Sequence, residues 1–237
     1  MGTPGRAPPE YVISPDAMST PRRYQRLRAV LDRRQPDLTV LMEDVRVPRN
    51  LAAILRSCDA VGVFEAHAVW PEGKLKISRP ASGGNRKWLP VRRHRTLDHA
   101  LEVLKGRGLR VLAAHPTPNA LPFREVDYTL PTCLLLGNED DGLTPEALAA
   151  ADGVVAIPME GMGTSLNVSV AAALLLFEAQ RQRRAAGLYD ASRLDPETHA
   201  RVLFEWTWPE IAAQCRKRGV GYPALGAEGE ILGEVPR

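Results

Sequence analysis

Five residues in three stretches have the types needed for shared chemistry. Asn50 and Arg56 lie six apart in Asn50-Leu-Ala-Ala-Ile-Leu-Arg56. Glu139 follows the apolar run Leu134–Leu136 and Gly137. Ser165 and Asn167 close the loop Gly161-Met-Gly-Thr-Ser-Leu-Asn167. An arginine offers a permanent positive charge and a planar donor fork, a carboxylate offers acceptors, and amides and hydroxyls orient a substrate. Each also has a purely structural explanation. Asn50 can cap a helix, Arg56 can form a salt bridge, Glu139 can be a solvent-facing loop acid, and Ser165 and Asn167 can satisfy free N–H groups at a helix start.

Other chemistries are disfavoured. There is no Walker loop, GxSxG elbow or HExxH. Gly161 and Gly163 lack the third glycine of a dinucleotide fingerprint. The five histidines form no metal-spaced pair, so no metal site is expected, and each is expected to be structural.

The elements that must hold these residues alternate between strand and helix. Leu38–Met42, Ala66–Trp70, Arg110–Ala114, Leu134–Leu136 and Val154–Ile157 are short apolar runs of strand length. Leu51–Ala60 behind Asn50, Leu97–Lys105, a short helix behind Thr144-Pro145, and Val168–Arg181 have helical patterns. This order predicts an α/β fold, a mostly parallel sheet with helices on both faces. Ligands in such folds bind beyond the carboxyl ends of the strands, where Glu139, Ser165 and Asn167 fall. Val168–Phe177 is apolar nearly all round and is expected to be buried on every side.

The flanks differ in character. Residues 1–17 are rich in Pro and Gly and read as a disordered leader. Residues 18–34 predict a basic helix starting at Pro21, with Arg22 and Arg26 on its outer face. Residues 35–184 form the main domain. Residues 185–237 read as a helical appendage, with helices at Pro196–Phe204 and Pro209–Arg218. The net charge is only +3, but it is segregated: residues 1–34 hold seven Arg against three acids, and residues 74–95 hold eight Lys or Arg and no acid. The latter stretch includes Arg86, and the small residues Ala81-Ser82-Gly83-Gly84-Asn85 at its centre imply a mobile loop or close backbone approach. Segregated positive charge suits a polyanion such as RNA, or else a solvated face. Three widely spaced cysteines imply a reducing cytoplasm rather than a disulfide framework, and no run is long enough to span a membrane.

The three stretches resemble the motifs of the SpoU branch of the SPOUT methyltransferases. Asn50–Arg56 matches the first motif, Leu134–Leu143 the second and Ile157–Ala173 the third. The resemblance extends from Tyr24 to Tyr189 and into the appendage, and is greatest to the TrmH subgroup. It implies a C-terminal deep trefoil knot, a homodimer, and S-adenosylmethionine as methyl donor. The reaction implied is methylation of a ribose 2′-hydroxyl, most simply of a guanosine in the tRNA D-loop. Residue by residue, it assigns catalysis to Asn50, Arg56, Glu139, Ser165 and Asn167. Donor contacts fall to Ala114, Gly137, Ile157 and Leu166, largely through backbone groups. Arg22, Arg26 and Arg86 become candidate RNA contacts. One departure stands out: Asp140-Asp141 follows Glu139 where relatives often carry Lys or Arg. The alternatives are a ribosomal-RNA ribose methyltransferase and an RNA-binding relative without turnover.

Overall fold

The computed structural model describes residues 20–70, 87–233 and 235. They form two compact units, Val30–Asp195 and a second made of residues up to Ala29 together with Pro196–Arg237.

The larger unit is built on a seven-stranded sheet. Its strands are β1 (Leu38–Glu43), β2 (Ala66–Val69), β3 (Val91–His94), β4 (Arg110–Ala114), β5 (Leu121–Pro122), β6 (Thr132–Leu136) and β7 (Gly153–Ala156). The order is β3-β2-β1-β6-β4-β7-β5, and every pairing is parallel. Both β1 and β6 are buried along their whole length, as parallel strands covered on both faces must be.

Side-chain alternation divides the core into two layers. Val40, Met42, Leu112, Leu134 and Leu136 point to one face, where they meet Leu51, Ile54 and Leu55 of α2 (Pro48–Ala60) and Ala172, Leu175 and Leu176 of α5 (Val168–Ala185). Leu41, Val111, Ala113, Cys133 and Leu135 point to the other. There they meet Ala100, Leu101 and Leu104 of α3 (Leu97–Gly106) and Ala147 of α4 (Pro145–Ala150). The expected mostly parallel sheet with helices on both faces is therefore present.

A buried arginine ties the sheet's amino-terminal end to α5. Arg183 is fully buried, and each of its five N–H groups has an acceptor. Nε donates to Tyr128 O (2.9 Å), Nη1 to Gln35 Oε1 (3.1 Å) and Asp37 Oδ1 (2.7 Å), and Nη2 to Asp37 O and Leu130 O (both 3.1 Å).

The smaller unit contains the first part of α1 (Pro21–Leu31), α6 (Pro196–Thr207), α7 (Pro209–Arg218) and a hairpin of β8 (Ala224–Leu225) and β9 (Ile231–Leu232). Phe204 stacks on Tyr222 at 4.8 Å, and Trp208 Nε1 donates to Gly229 O at 2.8 Å. No helix among the described residues is long and apolar enough to cross a membrane.

Several elements differ from the sequence-based expectation. Val91–His94, read as part of a basic loop, is the edge strand β3. Its arginines face outward, but His94 is buried and its Nε2 lies 2.9 Å from His67 Nδ1. Burial holds the His94 imidazole down at about 4, so it remains neutral near pH 7. Strand β5 and the β8–β9 hairpin were hidden by their brevity. Helix α2 begins at Pro48 rather than after Asn50, which therefore lies in its first turn. Helix α5 is not buried all round within one chain: Val170, Leu174 and Phe177 are 47%, 40% and 49% exposed.

Because Arg183 is the shared donor for five acceptors, Arg183→Ala leaves several buried polar groups unpaired. We expect a loss of about 3 kcal/mol in unfolding free energy, read from urea melts; a change below about 1 kcal/mol would contradict this role.

Candidate methyl-transfer site

The site lies beyond the carboxyl ends of β4, β6 and β7. The loop after β6 begins with Gly137, whose backbone runs tightly against Gly142. A Cβ on Gly137 would come within 2.3 Å of the Gly142 carbonyl carbon, so no other residue fits. Asn138 N donates to Gly142 O (2.8 Å) and Gly142 N to Asn138 O (3.1 Å), with Gly142 at φ +73. The Asn138 side chain completes the turn. Its Oδ1 accepts from Asp140 N (2.8 Å) and Asp141 N (3.3 Å), and its Nδ2 donates to Asp44 O (2.8 Å). Asp44 itself adopts the left-handed conformation at φ 51, which a short polar residue tolerates.

A second carboxylate fixes the far end of this loop. Glu43, buried at the end of β1, accepts from Thr144 N (3.1 Å) and Thr144 Oγ1 (2.7 Å). Thr144 Oγ1 in turn accepts from Ala147 N at 3.1 Å and caps α4.

The three sequence motifs meet through hydrogen bonds. Glu139 Oε2 accepts from Arg46 N (3.0 Å), and Oε1 accepts from Val47 N (3.1 Å) and Asn50 Nδ2 (3.0 Å). Val47 is the N-cap of α2 and has no side chain able to cap. Glu139 thus supplies, from a different part of the chain, the carboxylate that a helix amino terminus attracts. Asn50 Oδ1 accepts from Asn167 Nδ2 (3.1 Å), and Asn167 Oδ1 accepts from Ser169 N (2.9 Å) at the start of α5. The starts of α2 and α5 are consequently joined through Glu139, Asn50 and Asn167.

These loops enclose a cleft of about 340 Å³. Ala114, Gly137, Ile157 and Leu166 line it, as do Glu139, Ser165 and Asn167. Asn50 joins through its two side-chain bonds. Arg56 does not line the cleft; it is exposed on α2, about 9 Å along the axis from Asn50 at 1.5 Å per residue. Arg22 and Arg26 are exposed on α1 in the smaller unit, and Arg86 lies outside the described residues.

The lining also has a distinct charge. Its wall is aliphatic, with Leu136, Val155, Ile157, Leu166 and Leu175. Its charged members among the described residues are Glu139, Asp140 and Asp141, with neither lysine nor arginine. Such a cleft suits an apolar ring carrying a cationic group and does not suit a polyphosphate. S-adenosylmethionine, a nucleoside with a sulfonium centre, meets that description.

Sequence reasoning missed three contributors. Glu43 looked like the end of an apolar strand, and Asn138 like one polar loop residue among several. His115, which also lines the cleft, was one histidine among five. Only Asn138 had a readable signal, its four-residue spacing to Gly142.

Comparison with known proteins places the chain. Residues 37–177 match the SpoU rRNA methylase family and residues 181–234 its C-terminal family. The chain belongs to the SpoU methylase family. It is 50% identical over 213 residues to the tRNA (guanosine(18)-2′-O)-methyltransferase of Escherichia coli, covering 89% of this chain and 93% of the relative. The protein of the same name from Thermus thermophilus is 57% identical over 187 residues, covering 79% and 96%. The crystal structure of the Aquifex aeolicus TrmH/SpoU tRNA modifying enzyme superposes with a TM-score of 0.75 at 41% identity, covering 80% of this chain and 97% of that one. The SpoU methyltransferase AviRb of Streptomyces viridochromogenes, solved with its cofactor AdoMet, gives 0.58 at 27% identity, with coverages of 65% and 62%.

Removing the Glu139 carboxylate should loosen α2. Glu139→Ala is expected to cost about 1–2 kcal/mol, the range for losing a helix cap. Amide exchange at Arg46 and Val47 should accelerate as well; unchanged protection there would contradict the capping role.

Proposed function

We propose that the chain transfers a methyl group from S-adenosylmethionine to the 2′-oxygen of a guanosine ribose in the tRNA D-loop. The observation that carries this reading is the junction of Glu139, Asn50 and Asn167 beside a cleft lined by acids and, among the described residues, by neither lysine nor arginine. The names of the relatives most similar over nearly their whole length favour tRNA over ribosomal RNA.

The bound donor supplies an activated methyl whose leaving group is a neutral thioether, so no metal is required. The remaining task is to orient a ribose hydroxyl and accommodate the negative charge that develops on its oxygen as its proton leaves. Ala114, Gly137, Ile157 and Leu166 hold the donor against the aliphatic wall. Ser165 and Asn167 orient the ribose at the cleft mouth. Asn50, fixed between Glu139 and Asn167, holds the α2 start in place and with it Arg56. Arg56 clamps the substrate phosphate and stabilises the developing oxyanion. A guanidinium gives up its proton so reluctantly that electrostatic stabilisation is the easier role.

Arg56 lies off the cleft of its own chain, which supports a homodimer in which it serves the partner's donor. The stripe Val170, Leu174 and Phe177 supports the same assembly. These residues lie on one face of α5 at helical spacing, and apolar stripes on long helices are ordinarily covered. Arg22 and Arg26 on α1 and the Arg216-Lys217-Arg218 run on α7 grip the RNA backbone, joined by Arg86. The 18–34 helix and the 185–237 appendage serve as RNA-binding extensions of the 35–184 catalytic domain. That domain has the deep trefoil knot of the SPOUT fold, and the enzyme works in the cytoplasm.

The direct test is methylation of an unmodified tRNA transcript, with the product mapped by its resistance to alkaline cleavage. One bond after a D-loop guanosine should become resistant to alkali, and transfer of a radiolabelled methyl should fall to background when that nucleotide is the 2′-deoxy form. No transfer to tRNA, with transfer to ribosomal RNA, would overturn the substrate assignment.

Arg56→Ala should lower the single-turnover rate on the order of 10²–10³-fold. Arg56→Lys keeps the charge and should retain part of the rate; wild-type turnover in Arg56→Ala would remove this residue from the mechanism. Light scattering should give twice the 26.0 kDa chain mass, and Phe177→Glu should yield monomers without activity. A fully active monomer would refute the assembly.

A further inference from the structure

The hydrogen-bonding capacity of the cleft is largely spent on the protein itself. Asn138, Glu139 and Asn167 each use side-chain oxygens, and the two amides also use a side-chain N–H, to hold loops and helix starts. His115 is different. Its backbone N–H donates to Val155 O at 3.0 Å, extending the β4–β7 ladder by one residue and fixing the base of the side chain. Its ring packs on the Asn138–Gly142 turn, with Cε1 and Nδ1 3.7 Å from where a Gly142 Cβ would be. Among the described residues, its ring nitrogens have no hydrogen-bond partner. Thus a rigidly seated imidazole lines the cleft with unused polar atoms, beside a turn that also bears Asp140 and Asp141.

A ligand with a zwitterionic end would use both features. Among the described residues, an amino-acid carboxylate entering this cleft meets no lysine or arginine and needs an N–H or O–H donor. An ammonium beside it requires acids. We propose that His115 is a donor-binding residue: a ring N–H binds the carboxylate of the methionine portion of the methyl donor, while Asp140 and Asp141 face its ammonium. This rests on the reading of the cleft as the site for S-adenosylmethionine. It gives the acid pair a role in recognising one end of one ligand.

Two probes separate this contact from the rest of the site. S-adenosylhomocysteine has the amino-acid end, whereas 5′-methylthioadenosine shares the nucleoside and thioether but lacks the carboxylate and ammonium. Calorimetric titration of each into wild type, His115→Ala and His115→Asn reads the difference directly, without turnover. His115→Ala should weaken S-adenosylhomocysteine about tenfold, as expected for a hydrogen bond to a charged group, and change 5′-methylthioadenosine less than about twofold. His115→Asn, which keeps an N–H donor at shorter reach, should recover part of the loss. Retained 5′-methylthioadenosine binding also certifies that the cleft is intact. Equal weakening of both ligands, or of neither, would overturn the assignment to the carboxylate. Wild type that binds neither probe would overturn the donor reading itself, a distinct result from wild type that binds both with His115→Ala unchanged.

Discussion

The carboxylate of Glu139 and the amino terminus of α2 form the contact on which the site's arrangement depends. Helix α2 is entered through Arg46 and Val47, whose two N–H groups lie ahead of the first turn and need an acceptor from elsewhere. Glu139 provides it and also receives the Asn50 amide. The same amide's oxygen takes up Asn167, which caps α5. One acid therefore sets the entry of two helices that share a packing layer on the sheet. This loop carboxylate holds two backbone N–H groups and a side-chain amide in place.

This division of labour runs through the larger unit. At the amino-terminal end of the sheet, Arg183 gathers five acceptors in a dry environment and contributes rigidity. At the carboxyl end, Glu43, Asn138 and Glu139 tie loops from distant parts of the chain together, leaving a cleft whose charged lining, among the described residues, is acidic. The two ends are joined by strands buried on both faces, and a close-packed core of low compressibility transmits strain between them.

Much of this was legible in the sequence because the signals were periodic or punctuated. Apolar runs of strand length alternating with amphipathic helices gave the α/β class, and Thr144-Pro145 marked the start of α4. The stretches around Asn50, Glu139 and Asn167 were recognisable as motifs, and the cleft contains or adjoins all three. What escaped was set by contacts across the chain. Strand β3 looked like a charge run because its place depends on pairing with β2 and on His67 meeting His94. The α2 boundary was misplaced because the Arg46–Val47 entry is held by Glu139, a residue far along the sequence. Glu43 and His115 were invisible for the same reason: their partners, Thr144 and Gly142, are distant in sequence and near only in the folded sheet.

The strand order also has a bearing on how the molecule is made. β6 sits between β1 and β4, and its register pairs Leu38 with Thr132 and Arg110 with Thr132. During synthesis the first strands emerge well before the one that must lie between them, at some 5–20 residues per second. Until β6 arrives, one long edge of β1 has no partner, and such an edge invites pairing with other chains. Closing the centre of the sheet late, across a long separation, is slow. A chain of this topology spends several seconds on the ribosome with one edge of a fully buried strand exposed to neighbouring nascent chains.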